Sequence, residues 1–479
     1  MPDDLIELMD AASRRCEYAD VRRVATQRER VTVRNGRMER LDSVETDGIG
    51  VRVRVRGAWG FAAASDPSPA AAHASLTRAL ATAERQPAVA DPTPLAPAPP
   101  ARGQWTGPCE HDPFTVAVEA KLELLLGAER ALGGDPRIVR TGADCLSERI
   151  TRDFASTDGA ACTQTRTECG AGLFAVAVAD GDLQIRSYPA QHGGSLLAAG
   201  WEHVEGLDLV GEAPRVGDEA LALLSAPPCP AEVTTVVLDG EQVALQLHES
   251  VGHALELDRI LGGEASYAGT SWVVADDLGT LRYGSEAMNV TADATLPGGL
   301  GSFGWDDEGV EAQVLPLIRD GVLRAALSGR ESAAAIGLEA SGGCARADGY
   351  ARQPVVRMTN VSLDAGEGGS LEELIGGVDR GLYLETNRSW SIDDRRLHFQ
   401  FATEIGREIR DGRLGRLVRN PSYAGVTPRF WGSLDAVAGP SAWRLHGVSN
   451  CGKGEPGQLM HVSHGTGPAR FHDVQVGVA

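Results

Sequence analysis

Alternation of apolar and polar residues between positions 20 and 64 constrains the fold more than any other feature of this sequence. A valine stands at every second position from 51 to 55, and the residues that alternate with them are Arg52, Arg54 and Arg56. The turn signals are Asn35-Gly36, Asp47-Gly48 and Gly57. This pattern predicts a run of antiparallel strands. We expect the arginine row to lie on the solvated face of the sheet, because alternation turns the valines to the other face.

Helices and strands follow one another along the rest of the N-terminal half. Apolar spacing predicts helices over residues 3–16, 67–86, 112–134 and 216–224. Strands are predicted around residues 137–158, 161–179 and 182–188, and turns with Gly and Asp separate them. The 58 glycines exceed the usual share and favour many turns between short strands. We therefore predict an α+β fold, in which a helix-and-strand N-terminal region precedes a largely antiparallel, Gly-rich C-terminal domain.

Shifts in composition divide the chain. The stretch PAVADPTPLAPAPPARG is rich in Pro and Ala without periodicity, which is typical of a semi-rigid linker. A second boundary falls where prolines interrupt the segment SAPPCPAE. The predicted parts are an N-terminal α/β segment (1–86), a Pro/Ala-rich linker (87–108), a middle α/β segment (109–225) and a C-terminal domain (226–479).

An acidic balance limits the partners of this protein. The 45 Lys and Arg residues against 66 Asp and Glu give a formal net charge of −21. Such a surface repels phosphate backbones and anionic lipid, so we expect neither a nucleic acid nor a membrane as partner. The acidic start MPDDLIELMD is unlike a signal peptide, and no stretch approaches the roughly 18 to 20 apolar residues of a membrane span. A cytoplasmic location is expected.

A possible metal-binding motif lies in the segment EQVALQLHESVGHALELDRILGG, which has helix-forming content from position 241 to 261. His248, Glu249 and His253 form H-E-x-x-x-H. Histidines five residues apart lie roughly 140° apart on an ideal helix, so joint ligation requires a distortion such as a π-bulge. Gly252 weakens the helix at that point. From the pattern alone, a packed helix whose polar residues form caps or salt bridges is an alternative that stays open.

Several other stretches accompany HESVGHALE in this chain. They are GVRVRVRGAWGFA near the start, FGWDDEGVEAQ at 303–313, LIRDGVLRAALSGRESAAAIG at 317–337, SGGCARA at 341–347, FQFATEIGREIRDGRLGRLVRNPSYAG at 399–425 and CGKGEPGQ at 451–458. Together, and in this order, they closely resemble the TldD branch of the TldD/PmbA family of zinc metallopeptidases. Several separate motifs are far more specific than one metal motif, so the resemblance favours a metal site over the packed-helix alternative.

The resemblance implies a set of functional residues. Zn²⁺ would be bound by His248 and His253 of the helix and by Cys451 of the C-G-K motif. Three protein ligands leave one tetrahedral position for water, which is typical of a catalytic zinc site. Glu249 would act as the general base on that water and later pass the proton to the leaving amine. The non-catalytic branch of the family lacks the histidine pair, so its presence indicates an enzyme.

Three other residues have side chains that could bind a metal. Cys344 lies between glycines in GGCAR, where we expect a packing role in a loop. His461 and His464 follow Cys451 in QLMHVSHGTG and are within reach of the metal or of a substrate carbonyl. Strand and turn positions also explain these two histidines, and we favour that interpretation.

Two acidic clusters have simple structural interpretations. Residues 306–308, Asp-Asp-Glu, lack the glycine and the spacing of an EF-hand loop, so we expect a structured Gly-rich loop beside a cleft. The acid pair 393–394 in SWSIDDRRLHF is expected to form a turn and to pair with the arginines at 395–396.

The sequence therefore predicts a zinc metallopeptidase that hydrolyses short unfolded peptides, because a strand-rich cleft binds an extended backbone by β-addition. Two alternatives stay open. One is a zinc amidohydrolase acting on an amide of a peptide-like natural product, and the other is an interaction subunit whose zinc is structural. The resemblance also implies a dimer, with a homologous non-catalytic family member as partner rather than a second identical copy.

Overall fold

The computed structural model describes residues 3–89, 92–191 and 194–478. Residues 90–91 of the predicted linker lie outside this range, as do residues 1–2 and 479 of the first and last predicted parts. In the N-terminal half the elements are α1 (Asp3–Ala12), β1 (Tyr18–Arg34), β2 (Arg37–Val55), β3 (Ala58–Ala64), α2 (Pro69–Arg85), β4 (Arg102–Thr106), α3 (Val118–Ala131), β5 (Ile138–Ser156), β6 (Ala161–Ala179), β7 (Asp182–Tyr188), β8 (Ser195–Leu197), α4 (Trp201–Gly206) and α5 (Leu209–Ser225).

One sheet extends through the N-terminal half. Among the described residues it has eight strands, in the order β3-β2-β1-β5-β6-β4, with β7 and β8 also paired to β6. Each half of it repeats one pattern, in which a helix precedes three antiparallel strands and another helix follows. The strands β1 and β5 meet antiparallel at the centre, so the segments 1–86 and 109–225 share this sheet.

The turns of this sheet agree with the sequence in one place and differ in another. Asn35-Gly36 is confirmed as a tight hairpin turn, because both residues have positive φ, 48° and 75°. The prediction of a turn at Asp47-Gly48 is wrong, since both residues lie inside β2. Gly48 serves close packing there, because a Cβ would lie 2.6 Å from the Ala64 carbonyl oxygen on β3.

Part of the predicted linker is ordered structure. Its last residues form β4, which pairs in parallel with β6 from Arg102↔Ala161 to Thr106↔Thr165. Before β4, the Ala96 backbone N–H donates to the Arg330 carbonyl of the C-terminal half at 3.0 Å. The segment is thus attached to both halves of the molecule.

The C-terminal half carries the remaining elements. They are β9 (Glu232–Leu238), α6 (Gly240–Leu247), a π-turn (His248–Gly252), a 3₁₀ turn (His253–Leu255), α7 (Leu257–Ile260), a 3₁₀ turn (Ala275–Asp277), β10 (Val290–Asp293), β11 (Val314–Arg319), β12 (Val322–Leu323), α8 (Arg330–Ala335), β13 (Ala345–Arg346), β14 (Val355–Val356), β15 (Val361–Leu363), α9 (Leu371–Gly376), β16 (Arg380–Ile392), β17 (His398–Arg410), β18 (Arg413–Val418), β19 (Ser422–Val426), α10 (Thr427–Gly432), β20 (Leu434–Val437), a 3₁₀ turn (Pro440–Ala442), β21 (Arg444–Lys453), β22 (Gln458–Thr466) and β23 (Ala469–Val476).

The main C-terminal sheet closes on itself. Its order is β16-β9-β23-β19-β17-β18, and β16 also pairs with β17, so five strands form a ring. Most pairs are antiparallel, although β9 and β16 are parallel. Helix α6 and the turns after it pack against this ring. Their apolar stripe shares a buried core with aromatic residues of the ring; the stripe is Val243, Leu247, Val251 and Leu255. The α+β class is confirmed. No helix among the described residues is long and apolar enough to span a membrane.

The arginine row on β2 is largely buried, and the prediction of a solvated face is wrong for two of its three members. Arg52 is 5% exposed and forms ion pairs with Asp20 at 2.6 Å and with Glu308 at 3.3 Å. Arg54 is equally buried, and only Arg56 is exposed. The second face of the sheet is covered because the loop around Glu308 packs on it, which alternation within one strand cannot reveal.

That loop is the acidic cluster 306–308, and it lies at the contact between the halves of the molecule. Asp307 pairs with Arg22 at 3.6 Å and with Arg152 at 3.3 Å, both on the N-terminal sheet. Asp306 accepts backbone N–H groups of its own loop and of Ala345. The cluster is a buried part of the interface. The expected position beside an open cleft is therefore wrong.

Replacing Arg52 should measure the strength of this contact. We expect Arg52→Met to lower the free energy of unfolding by about 3 to 5 kcal/mol, because it removes the guanidinium that pairs with the buried carboxylates of Asp20 and Glu308. Urea denaturation followed by circular dichroism measures the change. The exposed Arg56 is the matched control, and Arg56→Met should change stability by less than about 0.5 kcal/mol. Equal effects of the two variants would contradict the assignment.

Candidate metal centre

The helix that carries the H-E-x-x-x-H motif changes its winding at the motif. Asp239 caps α6, since its carboxylate accepts the Gln242 N–H at 2.8 Å. The predicted distortion is confirmed: residues 248–252 form a π-turn, in which the His253 N–H donates to the His248 carbonyl, five residues before it. The single helix expected over 241–261 is therefore broken into an α-helix, a π-turn, a 3₁₀ turn and α7.

Packing around the π-turn stabilises the unusual winding. Gly252 lies against Met358, whose sulfur would be 2.0 Å from a Cβ at this position, so a larger residue would displace the Met358 side chain. The Ser250 carbonyl accepts the Tyr283 hydroxyl at 2.5 Å, and the Ser250 hydroxyl accepts the Trp431 indole N–H at 2.9 Å. Buried backbone groups thus find partners, as an interior turn requires.

The π-turn brings the two histidines together with a cysteine from a distant strand. The ring centroids of His248 and His253 are 4.7 Å apart. Strand β21 places the Cys451 sulfur 3.5 Å from His253 Nε2. One ligand atom of each of the three residues lies within 4.8 Å of the others, and all three residues are buried. The structure therefore brings together the three residues that the sequence indicated.

Hydrogen bonds fix the orientation of the His248 ring. His464 Nδ1 lies 2.7 Å from the Val361 carbonyl, to which it can only donate, so its Nε2 is an acceptor. That Nε2 lies 2.8 Å from His248 Nδ1, which must then be the donor. The His248 Nε2 lone pair remains for a ligand. Burial lowers the pKa of His248 to about 4, in agreement with a neutral ring.

The His253 ring is oriented by a carboxylate. His253 Nδ1 donates to Glu256 at 3.0 Å, which leaves its Nε2 for a ligand. Glu256 also pairs with Lys453 at 3.3 Å and with Arg259 at 3.6 Å. Burial would raise the pKa of Glu256, but Lys453 and His253 outweigh it and hold this pKa well below its usual range. A carboxylate behind a ligand histidine is the usual support of a metal site.

Positive charge surrounds the cysteine. Burial would raise the pKa of the Cys451 thiol, but His253 and Arg357 outweigh it and lower this pKa. Arg357 is fully buried and donates to the Cys451 carbonyl. Such surroundings favour the thiolate, which is the form that binds metals.

The geometry of these donors fits zinc. Typical Zn–S and Zn–N distances of about 2.3 and 2.1 Å at a tetrahedral angle put sulfur and nitrogen about 3.6 Å apart. The distance of 3.5 Å between Cys451 and His253 agrees with this value. Two free imidazole nitrogens and one thiolate are a donor set that zinc accepts. The three residues could therefore hold a zinc ion.

Glu249, next to His248, is held by an arginine. Arg396 Nη1 donates to the Glu249 carboxylate at 2.5 Å, and Trp390 also hydrogen-bonds it. Burial would raise the pKa of Glu249, but the two ligand histidines and Arg396 outweigh it, so the pKa lies below its usual value. A charged carboxylate therefore stands beside the three donors.

Arg396 comes from the turn whose pairing was predicted incorrectly. The turn itself is present between β16 and β17, but the acid pair 393–394 does not bind the arginines that follow. Asp393 accepts the Leu397 N–H at 2.8 Å and contacts His398 Nδ1 at 2.9 Å. Arg396, with φ of 61°, points to Glu249. Sequence reasoning missed Arg396 because local charge pairing was the simpler assumption.

The other candidate ligands take structural places. Cys344 is buried and donates to the Gly342 carbonyl, as expected for a packed loop. His461 lies on β22 and contacts Glu168 of the N-terminal sheet at 2.5 Å. Glu148 completes this second cluster, but its carboxylate binds Arg28, and Glu168 also binds Arg166. The cluster is therefore an ion-pair network between the two halves.

Three family models match this chain. The PmbA/TldA metallopeptidase domain 1 matches residues 19–86, the central domain matches residues 111–225, and the C-terminal domain matches residues 231–478. The third match contains the candidate metal centre.

Two metalloproteases and one solved structure are similar to this chain over half of its length or more. A metalloprotease of Methanothermobacter thermautotrophicus is 32% identical over 365 residues, which cover 76% of this chain and 75% of that protein. A zinc metalloprotease TldD homolog of Saccharolobus solfataricus is 27% identical over 50% of this chain and 51% of its own length. The crystal structure of TldE from Thermococcus kodakarensis has a TM-score of 0.74 at 15% identity and covers 99% of this chain and 100% of that one.

Two cysteine variants should separate the candidate ligand from the packed cysteine. We expect Cys451→Ser to lose most bound zinc, because a neutral hydroxyl is a poor ligand in place of a thiolate. Cys344→Ser should keep the metal, since this sulfur contacts a backbone carbonyl and lies outside the donor group. Metal analysis of both purified variants measures the difference. The reverse result would move the third ligand to Cys344.

Proposed function

Because the chain belongs to the PmbA/TldD family of metallopeptidases, in its TldD branch, we propose that it is a zinc-dependent peptidase acting on short unfolded peptides. The observation that carries the proposal is the π-turn that aligns His248 and His253 with Cys451 and places Glu249 beside them. The name of the relative from Saccharolobus solfataricus, a zinc metalloprotease, supports zinc as the metal.

Three residues would hold the metal, and others would keep them in place. His248, His253 and Cys451 would be its ligands. Bound zinc supplies Lewis-acid polarisation of water and of the peptide carbonyl. The His248 and His253 rings donate through Nδ1 to His464 and Glu256, which leaves both Nε2 atoms free to bind the metal.

Glu249 is the proposed general base. Its carboxylate is charged and buried beside the ligands, so it can take the proton of the attacking water as the carbon–oxygen bond forms. It then gives that proton to the amine nitrogen as the carbon–nitrogen bond breaks. Arg396 orients the carboxylate through its hydrogen bond at 2.5 Å. Trp390 also hydrogen-bonds the same carboxylate.

An extended peptide is the proposed substrate. Among the described strands, β21 pairs with β22 only, so its other edge has no strand pairing, although the Cys451 carbonyl itself accepts from Arg357. A peptide that adds to this edge would be bound through its backbone, largely without regard to its sequence. Folded proteins cannot supply an extended segment of this kind, which favours short unfolded peptides.

The substitution Glu249→Gln should separate chemistry from metal binding. It removes the base but no ligand, so we expect zinc to remain bound while turnover of a short peptide falls by about 10² to 10⁴ fold. Metal analysis and peptide hydrolysis followed by mass spectrometry are done on the same sample. Near-normal turnover at full zinc content would exclude Glu249 as the base. A wild-type chain that holds zinc but cleaves no peptide would favour a structural zinc.

We also propose that the chain works as a dimer with a homologous subunit that lacks the metal ligands. The similarity in fold to TldE over 99% of this chain supports a partner of the same shape. A second identical copy is the alternative partner.

Assembly can be tested by light scattering after size exclusion, with peptidase activity measured in the same fractions. We expect a dimer when the homologous partner is present. For the chain alone we expect weak peptidase activity. Added homologous partner should raise the activity, because a two-chain cleft would hold extended peptides better. A fully active monomer that ignores the partner would contradict the proposal.

A further inference from the structure

A cavity of about 620 Å³ lies beside the candidate metal centre, between the N-terminal sheet and the C-terminal half. Its lining includes Trp390, which hydrogen-bonds Glu249, and Asn450, which directly precedes Cys451. Most of the lining is apolar, and Leu146, Tyr188 and other residues of the N-terminal half contribute to it. Two residues of the cavity wall therefore directly neighbour the candidate metal centre.

One face of helix α6 forms a wall of this cavity and leads to the metal centre. Glu241, Ala244 and Leu245 line the cavity, and His248 follows on the same face. Seven residues of an α-helix turn through nearly two full turns, so Glu241 and His248 differ in direction by only about 20°. They are about 10 Å apart along the axis. An extended peptide spans this distance with about three residues.

Hydrogen-bond acceptors without a counterpart cluster at the Glu241 end. The Glu241 carboxylate accepts one backbone N–H, that of Asn387, at 2.7 Å and forms no ion pair within the described part of the chain. The Asn387 and His446 side chains also line this region. Asn387 Oδ1 is buried without a hydrogen-bond partner among the described residues. Burial lowers the pKa of His446 to about 4, against a hydrogen bond to the Thr466 carbonyl that raises it, so this ring is neutral. The ring nitrogen that does not donate to Thr466 is therefore an acceptor.

The charges around this end are mostly negative. Burial, Glu404 and Glu385 raise the pKa of Glu241 to about 7, against a backbone hydrogen bond and Arg186, which lower it. Arg186 is already bound to carboxylates, including those of Glu385 and Glu404. The acidic group is therefore short of positive charge.

Two arginines also line the cavity, but both are engaged elsewhere. Arg30 faces Asp144, 3.8 Å away, on the N-terminal sheet. Arg444 is exposed and donates to the carbonyls of Ser441 and Trp443. Neither forms an ion pair with Glu241 in the described part of the chain. A ligand would have to supply the missing positive charge.

We propose that Glu241, with Asn387 and His446, forms a cationic subsite that binds an ammonium or guanidinium group of the substrate about 10 Å from the metal centre. The inference rests on the peptidase function proposed above. Two sources offer this chemistry: the free N-terminus of a peptide about three residues from the bond that is cleaved, and the side chain of a lysine or arginine. In both, N–H donors meet a carboxylate and two neutral acceptors.

Binding of a matched peptide panel tests the subsite without turnover. The full-length chain carrying Glu249→Gln is loaded with zinc and titrated with alanine hexapeptides by calorimetry. The peptides have a free or an acetylated N-terminus, and lysine or the uncharged norleucine at each position in turn. We expect one of the two charges to raise affinity about 10- to 100-fold, the range of hydrogen bonds to charged groups. The arm that responds identifies the source of the cation.

Two further variants locate the effect within the chain. Adding Glu241→Gln should abolish the charge preference and leave the affinity for uncharged peptides unchanged. Glu404→Gln is the matched control, because Glu404 belongs to the same acidic group but lies outside the cavity lining. This variant should keep the preference. Comparison of charged and uncharged peptides on the parent chain does not depend on the folding of either variant.

The outcomes separate the subsite from the peptidase proposal. Equal affinity for charged and uncharged peptides, binding of none of them, or a preference that persists in Glu241→Gln would overturn the subsite. Hydrolysis of the same peptides by the wild-type chain is measured separately. Cleavage without charge preference would leave the peptidase function standing alone. Charge-dependent binding without cleavage, even after the homologous partner is added, would leave the subsite standing and remove the peptidase function.

Discussion

The candidate centre depends on one local change in helix winding. In an ideal helix His248 and His253 would point in directions roughly 140° apart and could not share an ion. The hydrogen bond from the His253 N–H to the His248 carbonyl converts the spacing of five residues into one turn, which places the two rings 4.7 Å apart. Met358 packs directly against Gly252, where the absence of a side chain makes room for it.

The rest of the C-terminal half orients the donors that the π-turn brings together. His464 on β22 fixes one ring, and Glu256 fixes the other. Cys451 and Lys453 come from β21, so the same hairpin supplies the sulfur and the cation that holds Glu256 in its charged form. Because each ring nitrogen that faces away from the centre has a partner, both remaining lone pairs are directed at the centre. This pre-organisation favours a metal with nitrogen and sulfur ligands.

The sequence predicted what short-range patterns determine and missed what long-range contacts determine. Hairpins such as Asn35-Gly36 and the distortion at Gly252 follow from local chemistry, and the family resemblance supplied Cys451. Burial of Arg52 does not, because its partner Glu308 lies 256 positions away. Arg396 was assigned to its neighbours, although it contacts Glu249 across 147 positions. A charged residue in a strand or turn does not reveal which distant surface covers it.

Zinc K-edge X-ray absorption of the purified chain tests the central claim most directly, because it counts the atoms bound to the metal. The arrangement of His248, His253 and Cys451 predicts one sulfur at about 2.3 Å, two imidazole nitrogens at about 2.0 to 2.1 Å and one further light atom. A spectrum without a sulfur neighbour, or with four protein ligands, would contradict the assignment of an open site built on the π-turn.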